Sequence, residues 1–155
     1  MGRKVVIIGG VAGGASAAAR LRRLDEQAEI ILLEKGEYIS FANCGLPYYI
    51  GGTIRDRSRL LVQTPESMKE RFNIDVSVHS EVTQVDTVHK QITVNSSEKG
   101  IYSESYDTLI LSPGAKAIKP SIPGISSSRI FTLRNIHDTD MLKAVSDKAQ
   151  KAVVI

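Results

Sequence analysis

The chain has 155 residues, of which 42% are hydrophobic and 24% charged, with a formal net charge of +3 and a single cysteine. This length fits one domain or slightly more, and the apolar content is sufficient for a packed core. The mild positive charge comes without a Lys/Arg run or interleaved aromatic residues, so it suits a phosphorylated small ligand better than nucleic acid. One cysteine excludes a disulfide framework within these residues and fits a reducing compartment. Residues 5–8 are too short an apolar run for a signal peptide or membrane helix, so we expect a soluble, cytoplasmic protein.

The first elements predict a strand, a glycine turn, a helix and a second strand. Residues 3–8 are a continuous run rich in β-branched residues, typical of a parallel strand buried on both faces. Gly-Gly-Val-Ala-Gly-Gly follows at residues 9–14, then a helix over 15–24 and a second strand over 29–34. In the G-x-G-x-x-G frame Gly9 and Gly14 match, whereas Val11 occupies the middle glycine position. A tight turn without a ligand would need similar glycines.

The context of this turn favours a dinucleotide. Glu34 follows it by about 20 residues, where an acid can bind a ribose hydroxyl. The glycines would let the backbone approach a pyrophosphate lying on the helix N-terminus.

The predicted first helix carries a basic face. Ser16, Arg20 and Arg23 are spaced by four and three residues and so share one side. A second, apolar face consists of Ala17, Leu21 and Leu24, and Arg22 lies off the Ser16 side. Spacing alone favours a solvated basic face, and the alternative is an anionic ligand across the start of the helix.

Cys44 lies in Ser-Phe-Ala-Asn-Cys-Gly-Leu-Pro-Tyr-Tyr-Ile-Gly-Gly, residues 40–52. Because proline is tolerated in the first turn of a helix, we predict a short helix over 45–50 with Asn43 or Cys44 as its cap. Gly51-Gly52 would end this helix. The thiol would then lie at a helix N-terminus, which favours the thiolate. A lone cysteine is, however, often a small buried apolar residue.

The rest of the chain predicts a second group of elements. Residues 53–63 are a predicted surface loop, and Thr64 caps a helix that ends at Phe72 with Asn73 as its stop. A strand over 74–78 precedes an antiparallel meander over 81–88, 91–94 and 100–106. Residues 107–112 return as a parallel core strand. The later predictions are a linker at 116–128, a candidate short strand at 130–133, a helix at 136–149 and a buried strand at 152–155. The three histidines, His79, His89 and His137, fall in separate elements, so no metal site is predicted.

These motifs resemble, in order, the FAD-dependent pyridine nucleotide-disulfide oxidoreductases, and within them most closely the single-cysteine coenzyme A-disulfide reductases. Gly-Gly-Val-Ala-Gly-Gly-Ala-Ser, Leu-Leu-Glu-Lys, Ser-Phe-Ala-Asn-Cys-Gly-Leu-Pro-Tyr and Tyr-Asp-Thr-Leu-Ile-Leu-Ser-Pro-Gly-Ala carry the resemblance. Ser-Phe-x-Asn-Cys is the most specific of them. The resemblance covers essentially the whole chain and implies a glutathione reductase-like α/β fold. That fold is a Rossmann-like FAD-binding domain with a parallel sheet plus a three-stranded antiparallel β-meander.

The resemblance also implies a domain plan. Residues 1–115 would be the N-terminal portion of the FAD-binding domain, and residues 116–150 a linker and helix leading to the nicotinamide domain. Residues 151–155 would be the first strand of a truncated NAD(P)H-binding domain. The intact protein is expected to be a homodimer without a nucleic-acid or membrane partner, and this chain alone to be incomplete as an enzyme.

Site residues follow from matching positions. The residues implied to bind FAD are Gly9, Gly10, Val11, Ala12, Gly13, Gly14, Glu34, Lys35, Val82, Gly114 and Ala115. Those implied to contact coenzyme A or its disulfide are Ser16, Arg20, Arg23, Ser40 and Asn43. This correspondence favours the anionic-ligand interpretation of the first helix. Arg20 is a glutamine in at least some relatives, so the resemblance implies a coenzyme A contact more strongly for Arg23 than for Arg20.

Cys44 is the implied catalytic residue. Hydride from NAD(P)H would pass through FAD to this cysteine, whose thiolate attacks coenzyme A disulfide and forms a mixed disulfide. Tyr49 occupies the position of the second cysteine of dithiol relatives, which agrees with a one-cysteine mechanism. The oxidised thiol would be a mixed disulfide, a sulfenic acid or a persulfide. Three alternatives therefore stay open: a polysulfide or persulfide reductase, an NADH oxidase or peroxidase, and an inactive FAD-binding fragment.

Overall fold

The structure is a computed structural model that describes residues 2–154. These residues form two sheets and four helices. The strands are β1 Lys4–Ile8, β2 Glu29–Leu33, β3 Asp75–Ser77, β4 Ser80–Asp86, β5 Gln91–Ser96, β6 Gly100–Ser105 and β7 Thr108–Leu111. The helices are α1 Ala12–Leu24, α2 Leu46–Ile50, α3 Pro65–Phe72 and α4 Ile136–Ser146, with short 3-10 turns at Asn43–Gly45 and Arg57–Leu60.

The first sheet is parallel, in the order β3-β2-β1-β7. β1 lies inside it, and Val6 and Ile7 are fully buried, which confirms a strand covered on both faces. The predicted parallel return strand is confirmed as β7. Its burial is only partial, since within residues 2–154 β7 has a neighbour on one side alone and Leu111 is 62% exposed.

The second sheet is the predicted antiparallel meander, in the order β4-β5-β6, with a bulge between Val82 and Gln84. Its Ile92 and Val94 form one buried cluster with Val6 and Leu33 of the parallel sheet. A separate cluster packs α1 and α3 against the parallel sheet and includes Val5, Ile7, Ala18, Leu32 and Met68. Because neighbouring residues of β1 contribute to different clusters, the helices and the meander cover opposite faces. The α/β fold with a parallel sheet and a three-stranded meander is therefore confirmed.

Helix α1 begins at Ala12, so Gly13 and Gly14 lie in its first turn. Its buried residues are Gly14, Ala15 and Ala18, whereas Leu24 is 67% exposed. The predicted apolar face of Ala17, Leu21 and Leu24 is therefore wrong at Leu24, whereas Leu21 is half-buried and packs against the core. Small residues face the sheet because the backbones of α1 and β1 approach closely at the glycine turn.

The ends of α3 agree with the sequence patterns. Thr64 Oγ1 accepts a hydrogen bond from Ser67 N, and Ser67 Oγ accepts one from Thr64 N, which completes a capping box. Asn73 adopts a left-handed conformation at φ 47° and ends the helix. A residue in this left-handed conformation commonly follows the last turn of a helix.

The described residues divide into two compact units. The first contains the chain up to Phe41 together with Leu61–Gly114, and the second contains Ala42–Leu60 with the described residues from Ala115 onward. Both sheets, α1 and α3 belong to the first unit, whereas α2 and α4 belong to the second.

Several predictions in the second unit need correction. The predicted surface loop contains the 3-10 turn Arg57–Leu60, whose Leu60 is fully buried. Residues 130–133 form no strand, and α4 ends at Ser146, three residues earlier than predicted. Residues 152–154 form no strand and are exposed, because within the described chain no neighbouring strand bonds to them. Residue 155 of that predicted strand lies outside the described residues. No helix in residues 2–154 is long and apolar enough to cross a membrane.

Candidate functional site

The turn between β1 and α1 is built around two tightly packed glycines. Gly9 has a φ of 95°, and its N–H donates to Leu33 O at 2.8 Å. A Cβ on Gly9 would lie 2.0 Å from Ser112 O, and one on Gly14 would lie 1.7 Å from Gly9 O. Because both close neighbours are backbone atoms, no larger residue fits at either position without a shift of the chain. The sequence pattern correctly singled out this turn, though not the part that Ser112 plays in it.

The first turn of α1 is open for an anion. Val11 is the N-cap residue and makes no side-chain capping bond, and no acidic residue lies in the first turn. The first N–H groups of a helix have no partner within it and carry its positive dipole end. Gly13 adds no side chain here, and a Cβ at this position would meet only Ser112, at 3.2 Å. These features fit a phosphate group lying on the helix start.

Glu34 faces the same turn. Its Oε2 accepts a hydrogen bond from Gly10 N at 2.8 Å, and its Oε1 accepts one from Gly36 N at 2.7 Å. Gly10 is buried, and its carbonyl accepts a bond from Ser40 N at 3.0 Å. The structure thus brings together the glycine turn and the acid that sequence spacing linked. A carboxylate held beside a phosphate-binding turn is the arrangement that binds a nucleotide ribose.

The basic face of α1 is present as predicted. Ser16, Arg20 and Arg23 are all exposed, and within the described chain Arg20 has no hydrogen bond or ion pair to another residue. Arg23 makes one long bond, from Nε to Ala19 O at 3.3 Å. These two guanidinium groups therefore have most of their donors free for an anion.

Arg22, unlike Arg20 and Arg23, bonds to backbone carbonyls at the ends of two helices. Its Nε donates to Phe72 O at 2.8 Å, its second terminal nitrogen to Asn73 O at 2.9 Å, and its first to Glu26 O at 2.7 Å. It therefore ties the end of α3 to the end of α1. Its position off the Ser16 face was the sequence signal for a separate role, although the spacing did not reveal the partners.

Ser40 has an unusual backbone conformation for a residue other than glycine. Its φ is 45°, and its carbonyl accepts bonds from Val62 N at 2.8 Å and Gln63 N at 3.3 Å. Together with the bond from its own N–H to Gly10 O, these contacts fix the left-handed geometry. Phe41 then forms an isolated antiparallel bridge with Leu61. Nothing in the sequence pattern indicated this conformation.

Cys44 lies in the 3-10 turn Asn43–Gly45 and is exposed. The prediction that Asn43 or Cys44 caps a helix is wrong: Ala42 precedes the 3-10 turn and Gly45 precedes α2, with no side-chain capping bond at either. The chain is already wound at Asn43, whereas a cap requires a non-helical residue. Asn43 Oδ1 is buried without a hydrogen-bond partner among the described residues. A buried oxygen of this kind is normally satisfied, so it fits a donor supplied by a ligand.

The other predicted site residues have less defined surroundings. Lys35 is exposed, Val82 is half-buried on β4 where it pairs with Val94, and Gly114 has a φ of 73°. In the second unit Ala115 O accepts a bond from Arg134 Nε at 3.1 Å. The described residues contain no group of three or more His, Cys, Asp or Glu side chains that could hold a metal.

Helix α4 makes contacts around the cysteine segment that no sequence pattern indicated. Arg57 and Asp140 form a two-bond ion pair at 2.8 and 2.7 Å, and Lys143 Nζ donates to Ile50 O at 3.3 Å. The Arg57 hydrogen bond lowers the pKa of Asp140 from its ordinary value. These pairs are 83 and 93 residues apart in the chain, so no local pattern could have indicated them.

Several known proteins resemble this chain in sequence and in fold. A coenzyme A disulfide reductase of Staphylococcus epidermidis is 44% identical over 155 residues, covering 98% of this chain and 35% of that protein. The crystal structure of reduced Bacillus anthracis CoADR-RHD is 60% identical with a TM-score of 0.90, covering 96% of this chain and 27% of that one. An NAD-dependent persulfide reductase from A. fulgidus is 33% identical with a TM-score of 0.88, covering 94% and 27% of the two chains.

The chain thus spans about a third of the length of the curated relatives it matches. The family model for pyridine nucleotide-disulphide oxidoreductases matches residues 3–155, which is nearly the whole chain. The chain belongs to the pyridine nucleotide-disulphide oxidoreductase family.

Proposed function

We propose that the chain is the N-terminal part of a flavoprotein that reduces coenzyme A disulfide with NAD(P)H, using Cys44 as its single redox residue. The observation that carries the proposal is the exposed Cys44 in Ser-Phe-Ala-Asn-Cys, within a chain 44% identical to a coenzyme A disulfide reductase. The domain plan stated above, a homodimeric assembly and a cytoplasmic location belong to the same proposal.

The first unit has a suitable cradle for FAD. The closely packed Gly9 and Gly14, the uncapped start of α1 and the carboxylate of Glu34 at the turn support a dinucleotide there. In this proposal residues 9–14 hold the diphosphate and Glu34 binds the adenosine ribose. Lys35 and Val82 contribute further contacts, as do Gly114 and Ala115. When bound, FAD supplies the two-electron link between NAD(P)H and a thiol.

The residues of the chain also fit a ligand with several phosphates. Arg20 and Arg23 project from one exposed face of α1 with most of their donors free, and Ser16 lies on the same face. Arginine is well suited to phosphate recognition because its planar group offers paired donors. In the second unit Asn43 offers a buried oxygen that lacks a donor. Ser40 and Asn43 complete the proposed set of coenzyme A contacts.

The proposed chemistry at Cys44 is thiol–disulfide exchange. The thiolate attacks one sulfur of coenzyme A disulfide, so that the substrate S–S bond breaks and a Cys44–coenzyme A disulfide forms. One coenzyme A leaves as a thiolate and takes a proton. Two electrons from NAD(P)H then cleave the mixed disulfide, which restores the Cys44 thiolate and releases the second coenzyme A.

Persulfide or polysulfide reduction is the second candidate, favoured by the 33% identity to the A. fulgidus persulfide reductase. Both chemistries would use Cys44, so only the acceptor distinguishes them. Ala42-Asn43 before the cysteine argues against an NADH oxidase or peroxidase, whose members usually have Leu-Ser there. An inactive FAD-binding module is the remaining alternative for this chain by itself.

The test uses the full-length protein and a Cys44→Ser variant. We expect the wild type to oxidise NAD(P)H when coenzyme A disulfide is added, and the variant to keep its yellow flavin while losing this activity by at least about a thousandfold. Retained turnover in the variant would remove Cys44 from the mechanism. A wild type that reduces polysulfide or peroxide but not coenzyme A disulfide would replace the proposed substrate.

A further inference from the structure

The segment that carries Cys44 is supported by two later segments of the second unit, α2 and the turn Arg57–Leu60, and α4 contacts both. The 3-10 turn Asn43–Gly45 continues directly into α2, so the position of this five-residue helix determines where the thiol lies. A helix this short is not stable alone and depends on its neighbours. Its own anchor is the buried Leu46.

One contact is at the end of α2. Lys143 Nζ donates to Ile50 O at 3.3 Å and is oriented by Asp147 Oδ1 at 2.9 Å. The last carbonyls of a helix lack partners within it, and a cation there is favoured by the helix dipole. Lys143 therefore caps the end of α2 that is distant from Cys44.

The second contact reaches the segment that supports the start of the cysteine turn. Asp140 pairs with Arg57 through two bonds, and Arg57 begins the 3-10 turn that ends at Leu60. Leu60 O accepts a bond from Ala42 N at 2.8 Å. The buried Leu60 side chain also packs on Gly45, where a Cβ would lie 3.2 Å from its Cδ2 atom.

Helix α4 is itself well fixed. Asn135 Oδ1 caps it by accepting from Asp138 N at 2.8 Å, and Ile136 and Thr139 are almost completely buried. Asp140 and Lys143 are three residues apart and so lie on one side of the helix. This side holds both flanks of the cysteine segment.

We propose that α4 positions Cys44 and that Asp140 and Lys143 are positioning residues for its redox step, an inference that rests on the proposed function. Neither residue touches the thiol in this account. Both act by limiting the movement of the segment that carries it. Because a displacement of about 1 Å can slow a reaction up to about a hundredfold, such restraint affects turnover more than binding.

The experiment compares Lys143→Met and Asp140→Asn in the full-length protein. Lys143→Arg and Asp140→Glu should restore function if the bonds are what matters. Lys148→Met is the matched control, because Lys148 is exposed and its side chain makes no bond to another described residue. Two quantities are measured: hydrogen exchange of the amides in residues 42–54, and kcat and KM for coenzyme A disulfide.

We expect exchange in residues 42–54 to accelerate roughly tenfold, at the end of α2 in Lys143→Met and at Ala42 and Gly45 in Asp140→Asn, since each variant loses a hydrogen bond to a charged group. kcat should fall about tenfold while KM changes less than about threefold, because Ser16, Arg20 and Arg23 of α1 are untouched and only one proposed coenzyme A contact, Asn43, lies in the loosened segment. Unchanged exchange, or an equal change in Lys148→Met, would overturn the inference. Faster exchange with unchanged kcat would also overturn it, since α4 would then be structural only.

A failure of the proposed function gives a different result. The wild type itself would then not reduce coenzyme A disulfide, whereas the exchange measurement would still report whether α4 holds the cysteine segment. In that case kcat is measured with the acceptor that the wild type does reduce, such as polysulfide. The same tenfold fall is expected, and its absence counts against the inference.

Discussion

Gly13 and Gly14 are neighbours in the first turn of α1, yet alanine should have opposite effects at the two positions. A Cβ on Gly14 would lie 1.7 Å from Gly9 O and 2.9 Å from Gly9 C. Ordinary contacts begin at 3.4 Å, so α1 and the turn would have to separate by about 1.7 Å. A Cβ on Gly13 meets only the Ser112 side chain, whose Oγ at 3.2 Å can rotate away.

The magnitudes follow from this difference. Replacing glycine by alanine within a helix gains about 1 kcal/mol. Overpacking typically costs about 1–3 kcal/mol and occasionally more, and the upper end applies where a backbone carbonyl is the obstacle. We therefore expect Gly14→Ala to lower the free energy of unfolding by roughly 2 kcal/mol or more, and Gly13→Ala to raise it by up to about 1 kcal/mol.

Urea unfolding of the flavin-free proteins measures both changes. If Gly14→Ala is too unstable to purify, its soluble yield relative to Gly13→Ala gives the same ordering. A Gly14→Ala protein within about 1 kcal/mol of the wild type would refute the close packing of the turn. So would a Gly13→Ala protein that is destabilised as much as Gly14→Ala.

Two further predictions use charged groups outside the turn. Arg22→Met should lower the free energy of unfolding by about 2 kcal/mol, since Arg22 bonds to carbonyls of two helix ends, whereas Arg23→Met should change it by less than about 0.5 kcal/mol. In the full-length enzyme Arg23→Met should instead raise KM for coenzyme A disulfide about tenfold. If Arg22→Met and Arg23→Met changed stability and KM equally, the structural role of Arg22 and the binding role of Arg23 would be contradicted. The hydrogen bond to Glu104, at 2.6 Å, is the main cause that raises the pKa of Lys4 above its ordinary 10.5. The folded state thus holds this proton more tightly, so the stabilisation is complete below pH 10.5 and is lost as pH rises through the higher folded pKa. Glu104→Gln should lower the free energy of unfolding by roughly 1 kcal/mol near pH 8, and its difference from the wild type should shrink above pH 10.5. A difference that is constant with pH would contradict the pairing of Lys4 with Glu104.

Much of the fold could be predicted because its signals are local. The β-branched run of β1, the glycines after it and the Thr64 cap each specify an element from adjacent residues. Residues 152–154 show the limit of such signals. Their apolar character predicts a strand, but a strand needs a neighbour to bond with, and within residues 2–154 they have none.

The candidate site was predictable to a similar degree. The turn and Glu34 meet because parallel strands end at the same edge of a sheet, so spacing alone indicated their contact. The left-handed Ser40 and the bonds from α4 depend on residues brought together by tertiary structure. A periodic pattern of residues in the sequence does not indicate such contacts. The cap predicted at Asn43 or Cys44 is wrong because a 3-10 turn, Asn43–Gly45, leads directly into α2, as is common at the start of a helix.

The central claim is that Cys44 exchanges disulfides with coenzyme A in a protein that holds FAD. Its most direct test is a mass spectrum of the full-length protein after incubation with coenzyme A disulfide, under native and denaturing conditions. We expect FAD to be bound under native conditions. We also expect one coenzyme A-sized adduct on Cys44 that disappears on addition of NAD(P)H and is absent from Cys44→Ser. A protein that carries FAD without any such adduct on Cys44, or one that carries the adduct on another residue, would contradict it.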